Sequence, residues 1–207
     1  MDDPDDVRLH IRSCRTLHPD GRFTLARTVS CPRRSRSVAL EACEECPRCT
    51  GIFPDDEDLF ILCTARSAPD VVAGGHVSAV MAEAILCVRE EVQVDVVRRL
   101  LTELEQQAVP VVDAIGRPTG ILSRIDLLRL SPGDARPVRQ VMTTFATTVT
   151  DSAPLEQAAA LMALEGVHQL PVVSAGPDGK VIGMVSALDL ARWVARNHGY
   201  LGEGSPL

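Results

Sequence analysis

The sequence predicts an α+β protein made of two β-α-β-β-α units in tandem, preceded by a small, cysteine-rich β segment. Three observations carry that prediction. Met142 follows Met81 by 61 residues, and Pro171 follows Pro110 by the same interval. Val109-Pro110-Val111-Val112 is answered by Leu170-Pro171-Val172-Val173, and Gly120–Asp126 by Gly183–Asp189. Ahead of both, Cys31, Cys43, Cys46, Cys49 and Cys63 crowd into 33 residues. A constant offset held over this much chain marks an internal repeat, and its register slips only where Ser174–Lys180 is longer than Asp113–Pro118. The expected segments are 1–70 for the cysteine-rich part, 76–131 and 136–199 for the repeats, and 200–207 for a tail.

Composition bounds the function. With 45% hydrophobic residues but only 3% aromatic ones, the core must be aliphatic. A net charge of −7 argues against a nucleic-acid surface, which needs clustered positive charge. Met1–Asp6 has neither a basic stretch nor an apolar run, so no secretory signal is expected. No uninterrupted apolar stretch is long enough for a membrane helix. The expected location is cytoplasmic, with reduced thiols.

In the leading segment, the alternation Val7-Arg8-Leu9-His10-Ile11 permits a short strand. Thr28–Ser30 and Leu59–Leu62 read as strands that end at Cys31 and Cys63. Cys43-x-x-Cys46 is the spacing that lets two thiolates reach one tetrahedral ion, and strand-end cysteines flanking that knuckle resemble a small zinc ribbon. The expected ligand set for a structural Zn2+ is Cys31, Cys43, Cys46 and Cys63, with Cys49 as substitute. A segment with so few large apolar residues gains much from such a staple. Cys43, Cys46 and Cys49 also copy part of an iron–sulfur spacing, but the usual Cys-Pro ligand is missing after Cys49. The plain alternative is a set of free thiols. Cys87, in the apolar run Ile85–Val88, reads as a small core residue.

Ala65–Gly75 reads as a linker. In the first repeat, Val94, Val97, Leu100, Leu101 and Leu104 fall on one helical face, with Arg98, Arg99, Glu103 and Glu105 on the wet side. Pro110 points to an edge or a first ladder position for Val109–Val112. Thr119–Leu122 returns as a strand, and a helix follows to Leu130. In the second repeat, Asp151 or Ser152 can cap a helix with Pro154 in its first turn and Gly166 at its end. The last helix, Ala187–Asn197, is expected to bury Leu188, Ala191, Val194 and Ala195, with Trp193 beside them.

The chemistry lies in Ser123-x-x-Asp126 and Ser186-x-x-Asp189. A serine followed three residues later by an acid, at the start of a helix, is a capping box. It stabilises the helix by about 1 kcal/mol and needs no ligand. The same geometry serves a nucleotide, since a helix N-terminus attracts phosphate and a carboxylate accepts bonds from ribose hydroxyls. Nothing forms a nucleophile elbow, a glycine-rich phosphate loop or a metal-binding histidine pair, so no enzyme is expected.

With these residues in view, the paired pattern resembles tandem CBS domains, the Bateman module, over Val77 to Asn197. Gln106 departs from it, standing where the second repeat has Val167. The resemblance implies two repeats packed sheet to sheet about a pseudo-two-fold axis, pairing again into a homodimer. It implies Asp126 and Asp189 on ribose, with Ser123 and Ser186 on phosphate. Arg124 would add charge to the first site, where its counterpart Ala187 would not. Adenine would lie against Leu86–Val88 and Thr147–Val149, including Thr148, with Val109-Pro110 and Leu170-Pro171 lining the other wall. His168 could face phosphate, or simply be a surface residue. The implied function is a non-enzymatic sensor that binds an adenine nucleotide, AMP or ATP in class, and signals to a regulated protein. The alternative is a metal- or redox-responsive interaction protein acting through the cysteines, with Arg33, Arg34 and Arg36 the only pointer to nucleic acid.

Overall fold

A computed structural model describes residues 7–34, 36–54, 59–64, 75–82, 84–144 and 146–201. The expected linker falls outside these apart from Gly75, as do the acidic run Asp55–Asp58 and the tail beyond Leu201.

The leading segment forms β1 (Val7–Leu17), β2 (Phe23–Cys31), β3 (Arg36–Ala39), the short helix α1 (Leu40–Glu44), β4 (Cys49–Pro54) and β5 (Leu59–Cys63). The first repeat contributes β6 (Ala84–Arg89), α2 (Val94–Glu103), β7 (Ala108–Val112), β8 (Pro118–Ser123) and α3 (Arg124–Leu128). The second contributes β9 (Thr143–Thr144), β10 (Val149–Thr150), α4 (Leu155–Glu165), β11 (Gln169–Val173), β12 (Val181–Ser186) and α5 (Ala187–Asn197). Short 3-10 turns at Val77–Ala79 and Val138–Gln140 lead into the two repeats. No helix among the described residues is long and apolar enough to cross a membrane.

The leading segment joins the first repeat's sheet. β1 runs parallel to β6, with Cys14 opposite Ile85 and Thr16 opposite Cys87. The strand order is therefore continuous, β3-β2-β1-β6-β7-β8-β9, with β5 on β1 and β4 on β5. The short strand expected at Val7–Ile11 thus runs on to Leu17, because its second half has β2 on one side and β6 on the other. The second repeat keeps its own three-stranded sheet, β10-β11-β12.

Each repeat's leading turn packs under the other repeat. Val77 is fully buried with Leu155, Ala158 and Leu170, whereas Val138 is fully buried with Val94, Val97 and Val109. The backbone follows the same exchange. Val77 N–H donates to Ala153 O at 2.9 Å, and its counterpart Val138 N–H donates to Val92 O at 2.8 Å. Burying such a side chain is worth roughly 1.5–3 kcal/mol, and neither repeat completes its core without the other's turn.

The structure corrects several expectations. Pro110 sits on an interior strand, at neither an edge nor a first ladder position, and Pro171 is placed in the same way. They are tolerated because pairing to β6 and β10 begins only at Val111 and Val172, one residue past each proline. α2 buries Val94, Val97 and Leu101, but Leu104 is exposed beyond its end. α3 stops at Leu128 instead of Leu130. α4 has Pro154 as its N-cap with no side-chain bond, because Asp151 faces the leading segment instead. Leu188 and Val194 of α5 are exposed, and Leu190 and Trp193 provide its packing face.

Candidate functional site

The two Ser-x-x-Asp motifs form the same arrangement at the starts of α3 and α5. The Ser123 backbone N–H donates to Asp126 Oδ2 at 2.9 Å, and its hydroxyl donates to the same oxygen at 2.6 Å. Asp126 N–H returns a bond to Ser123 Oγ at 3.3 Å. In the second repeat the corresponding distances for Ser186 and Asp189 are 2.7, 2.6 and 3.2 Å. Both are complete capping boxes. In each, Oδ2 takes the internal bonds, and Oδ1 takes none among the described residues. Each carboxylate is half-buried, fixed through one oxygen and open at the other.

The strand before each box brings in a second element. Ala187 N–H donates to the carbonyl of His168 at 2.9 Å, and Arg124 N–H donates to that of Gln107 at the same distance. His168 therefore stands beside the second box with its side chain exposed. Gln107, beside the first box, is a position the sequence reading missed, and the 61-residue offset from His168 would have found it. Arg124 is exposed at the head of α3. Pro171 pairs with Met184 across β11 and β12.

The strand before each box is met by a segment of the other repeat. Ala82 N–H donates to Met184 O at 2.8 Å, and Met81 lies against the bare backbone of Gly183. In the first site Met142 lies against Gly120, and Thr143 and Thr144 pair with Ile121 and Gly120. The segment before β6 thus packs on the strand that leads to Asp189, and the segment before β10 on the strand that leads to Asp126. The expected adenine wall at Leu86–Val88 is core: Leu86 and Val88 belong to the first repeat's cluster, and Cys87 is fully buried. Thr148 lies half-buried ahead of β10.

The five leading cysteines approach one another without forming a chelate. Among the described residues no group of three or more His, Cys, Asp or Glu side chains is arranged to hold a metal ion. The expected set Cys31, Cys43, Cys46 and Cys63 is not assembled, nor is Cys49 a substitute in it. The reason lies in the packing. Cys43 sits in an apolar cluster with Val29, Leu40 and Ile61, and Cys49 packs against that cluster from β4. Cys49 and Cys63 are cross-strand partners, but β5 pairs onward with β1 and so belongs to the large sheet, not to a separate ribbon. Burial, and then the nearby thiols of Cys49, Cys63, Cys31 and Cys46, push the Cys43 thiol up to about 11.

Comparison with known proteins agrees with this architecture. The CBS domain model matches residues 77–133 and 138–196. The chain belongs to the CBS domain family and carries a tandem CBS pair. CBSX2, solved in complex with AMP, is similar at 30% identity and a TM-score of 0.55, over 60% of this chain and 99% of that one. The CBS domain pair of protein MJ0100, solved with 5′-methylthioadenosine and S-adenosyl-L-methionine, shares the fold at 18% identity and a TM-score of 0.54, over 60% of this chain and 98% of that one. A homoserine O-acetyltransferase of Methanohalobium evestigatum is 28% identical over 119 residues, which is 58% of this chain and 24% of that protein. The chain therefore spans about a quarter of that relative's length.

Proposed function

We propose that this protein is a non-enzymatic regulatory module that binds an adenine nucleotide of the AMP or ATP class between its two CBS repeats. The observation that carries the reading is the pair of half-buried carboxylates, Asp126 and Asp189, each held through Oδ2 while Oδ1 takes no bond among the described residues. Ribose hydroxyls donate to Oδ1. The phosphate takes the first amides of the helix and the serine, with His168 beside it in the second site and Arg124 in the first. The complex of CBSX2 with AMP supports the ligand class.

The two sites differ. α5 has eleven residues and α3 only five, so the dipole is better developed at Asp189. Arg124 supplies a charge at the first site that Ala187 does not. Because the strand before each box is met by the opposite repeat, a bound nucleotide clamps the two together, and differential affinity for two packings turns binding into a signal for a regulated protein. Ile125 and Leu128 on α3, with Leu188 and Val194 on α5, are exposed apolar residues and form the homodimer face.

The test is thermal stability with AMP, ADP, ATP, S-adenosylmethionine and a GTP control. A ligand at a hundred times its dissociation constant stabilises by about 2.7 kcal/mol. A shift with an adenine compound, lost in Asp126→Ala plus Asp189→Ala, supports the reading. No shift with any of them leaves the boxes as helix caps.

A second reading rests on the thiols. Burial first, and then four neighbouring thiols, keep Cys43 protonated, and a bound Zn2+ would supply the positive charge that holds such a group of thiols as thiolates. It predicts stoichiometric zinc or peroxide-sensitive thiols in protein purified without reductant.

A further inference from the structure

A cavity of about 430 Å3 lies away from both capping boxes, and none of Ser123, Asp126, Ser186 and Asp189 lines it. That volume suits a small molecule. Five parts of the chain enclose it: the β1–β2 hairpin, the junction of β3 and α1, the end of β6, the turn after β7, and the start of β12. Val181 N–H donates to Gly116 O at 3.0 Å, which ties the turns of the two repeats together at its wall. The leading segment completes it, so a CBS pair alone would not have it.

The floor is apolar and soft. Val112 and Val181 pack with Cys14 and Cys87, whose sulfurs are 3.5 Å apart. The rim is cationic. Arg27, Arg89 and Lys180 face Glu41 and Asp113, and Oδ1 of Asp113 is already engaged, accepting the backbone N–H groups of Ile115 and Arg117. Arg89 donates through Nη1 to the carbonyl of Asp113 at 2.5 Å. Its Nε–H is buried and has no acceptor among the described residues.

We propose that this cavity is a second ligand site, which takes a compact organic anion: a carboxylate or phosphate ester on an apolar body. The charged group meets Arg89, with Arg27 and Lys180 at the mouth, and the body lies over Val112 and Val181. Such a ligand touches the leading segment and both repeats at once. Its binding therefore responds to the same packing that the nucleotide clefts clamp, and gives the module a second input.

The two buried thiols make the site testable without knowing the ligand. Iodoacetate and iodoacetamide have nearly the same size and differ in charge. Their rates at Cys14 and Cys87 are followed by peptide mass mapping and compared with rates on neutral N-acetylcysteinamide. A cationic, partly desolvated pocket raises the local concentration of an anion by about tenfold or more. The iodoacetate-to-iodoacetamide ratio at the pocket thiols is therefore expected to exceed that of the model thiol by about that factor, and to fall to it in Arg89→Gln. Benzoate and phenyl phosphate should slow the labelling, and whichever protects better identifies the anionic group. A ratio equal to the model thiol's overturns the proposal, as do pocket thiols that stay unlabelled in the folded protein while Cys46 reacts. Should Arg89→Gln fail to fold, Arg27→Gln plus Lys180→Gln at the solvent rim must lower the ratio instead. AMP-induced stabilisation, followed in parallel, reports on the nucleotide clefts separately.

Discussion

The carboxylate of Asp151, at the head of the second repeat, accepts the backbone N–H of Ser37 on β3, 114 residues earlier in the chain. Asp151 is fully buried, and its own carbonyl accepts the N–H of Ser78 in the turn before the first repeat. On the other side of that turn, Arg12 donates to Ser78 O at 2.5 Å and to Ser30 Oγ at 2.7 Å. One network thus fastens the leading segment to both repeats.

Removing that acceptor should be costly. Asp151→Ala leaves the Ser37 amide buried and unpaired, a loss of about 1–3 kcal/mol. The expected result is a lower melting temperature with faster hydrogen exchange in β3, while the amides of α4 keep their protection. Faster exchange in α4 alone would mean that Asp151 acts as a helix cap.

The helix ends of the two repeats offer a matched pair. Glu105 has φ of 53° at the end of α2, where Gly166 has φ of 65° at the end of α4. The left-handed conformation costs a residue with a Cβ roughly 1–2 kcal/mol. Glu105→Gly should therefore stabilise the protein, by less than that because glycine also loses more freedom on folding. Gly166→Ala, where a Cβ would meet nothing within 4 Å, should destabilise it through the backbone alone. Denaturant midpoints read both signs.

Two further glycines separate the clefts. A Cβ on Gly120 would lie 2.6 Å from the carbonyl oxygen of Thr143, which is backbone and cannot turn aside. On Gly183 the nearest atom would be the sulfur of Met81, at 2.8 Å, at the flexible end of a side chain. Gly120→Ala should cost about 1–3 kcal/mol, as overpacking does, and weaken nucleotide binding beside Asp126. Gly183→Ala should cost less. Calorimetric titration of the two variants with AMP compares the sites.

Alkaline pH should expose the thiol cluster. Cys43 titrates at about 11 in the folded protein against an ordinary 9.0. The unfolded chain gives up that proton first, so the contribution of Cys43 to stability is intact below pH 9 and is lost as pH rises to about 11. Cys43→Ala should flatten this part of the pH profile whatever it does to absolute stability. Equal slopes for variant and wild type would show that neither burial nor the neighbouring thiols raise Cys43.

Much of the repeat architecture was legible in the residues themselves. The 61-residue offset paired Met81 with Met142 and Pro110 with Pro171, and the structure places both pairs in equivalent positions. The capping boxes at Ser123 and Ser186 and the left-handed Gly166 were readable because caps and helix ends depend on neighbours three or four residues away. Local spacing carries local hydrogen bonding.

What lay further apart was decided by the tertiary structure. Alternation in Val7–Ile11 suggested a strand but not its partner, and its parallel pairing with β6 drew the cysteine segment into the repeat's sheet. Leu188 and Val194 looked like a buried stripe, yet the face of α5 that packs carries Leu190 and Trp193. A helical period gives the spacing of a stripe and leaves open which of two apolar faces meets the core. The contacts between repeats were likewise hidden, because Val77 and Val138 each complete the opposite repeat's core and bring Ala82 and Thr143 against it. In sequence each repeat reads as a closed unit, but burial of those two valines is satisfied only when the pair is folded together.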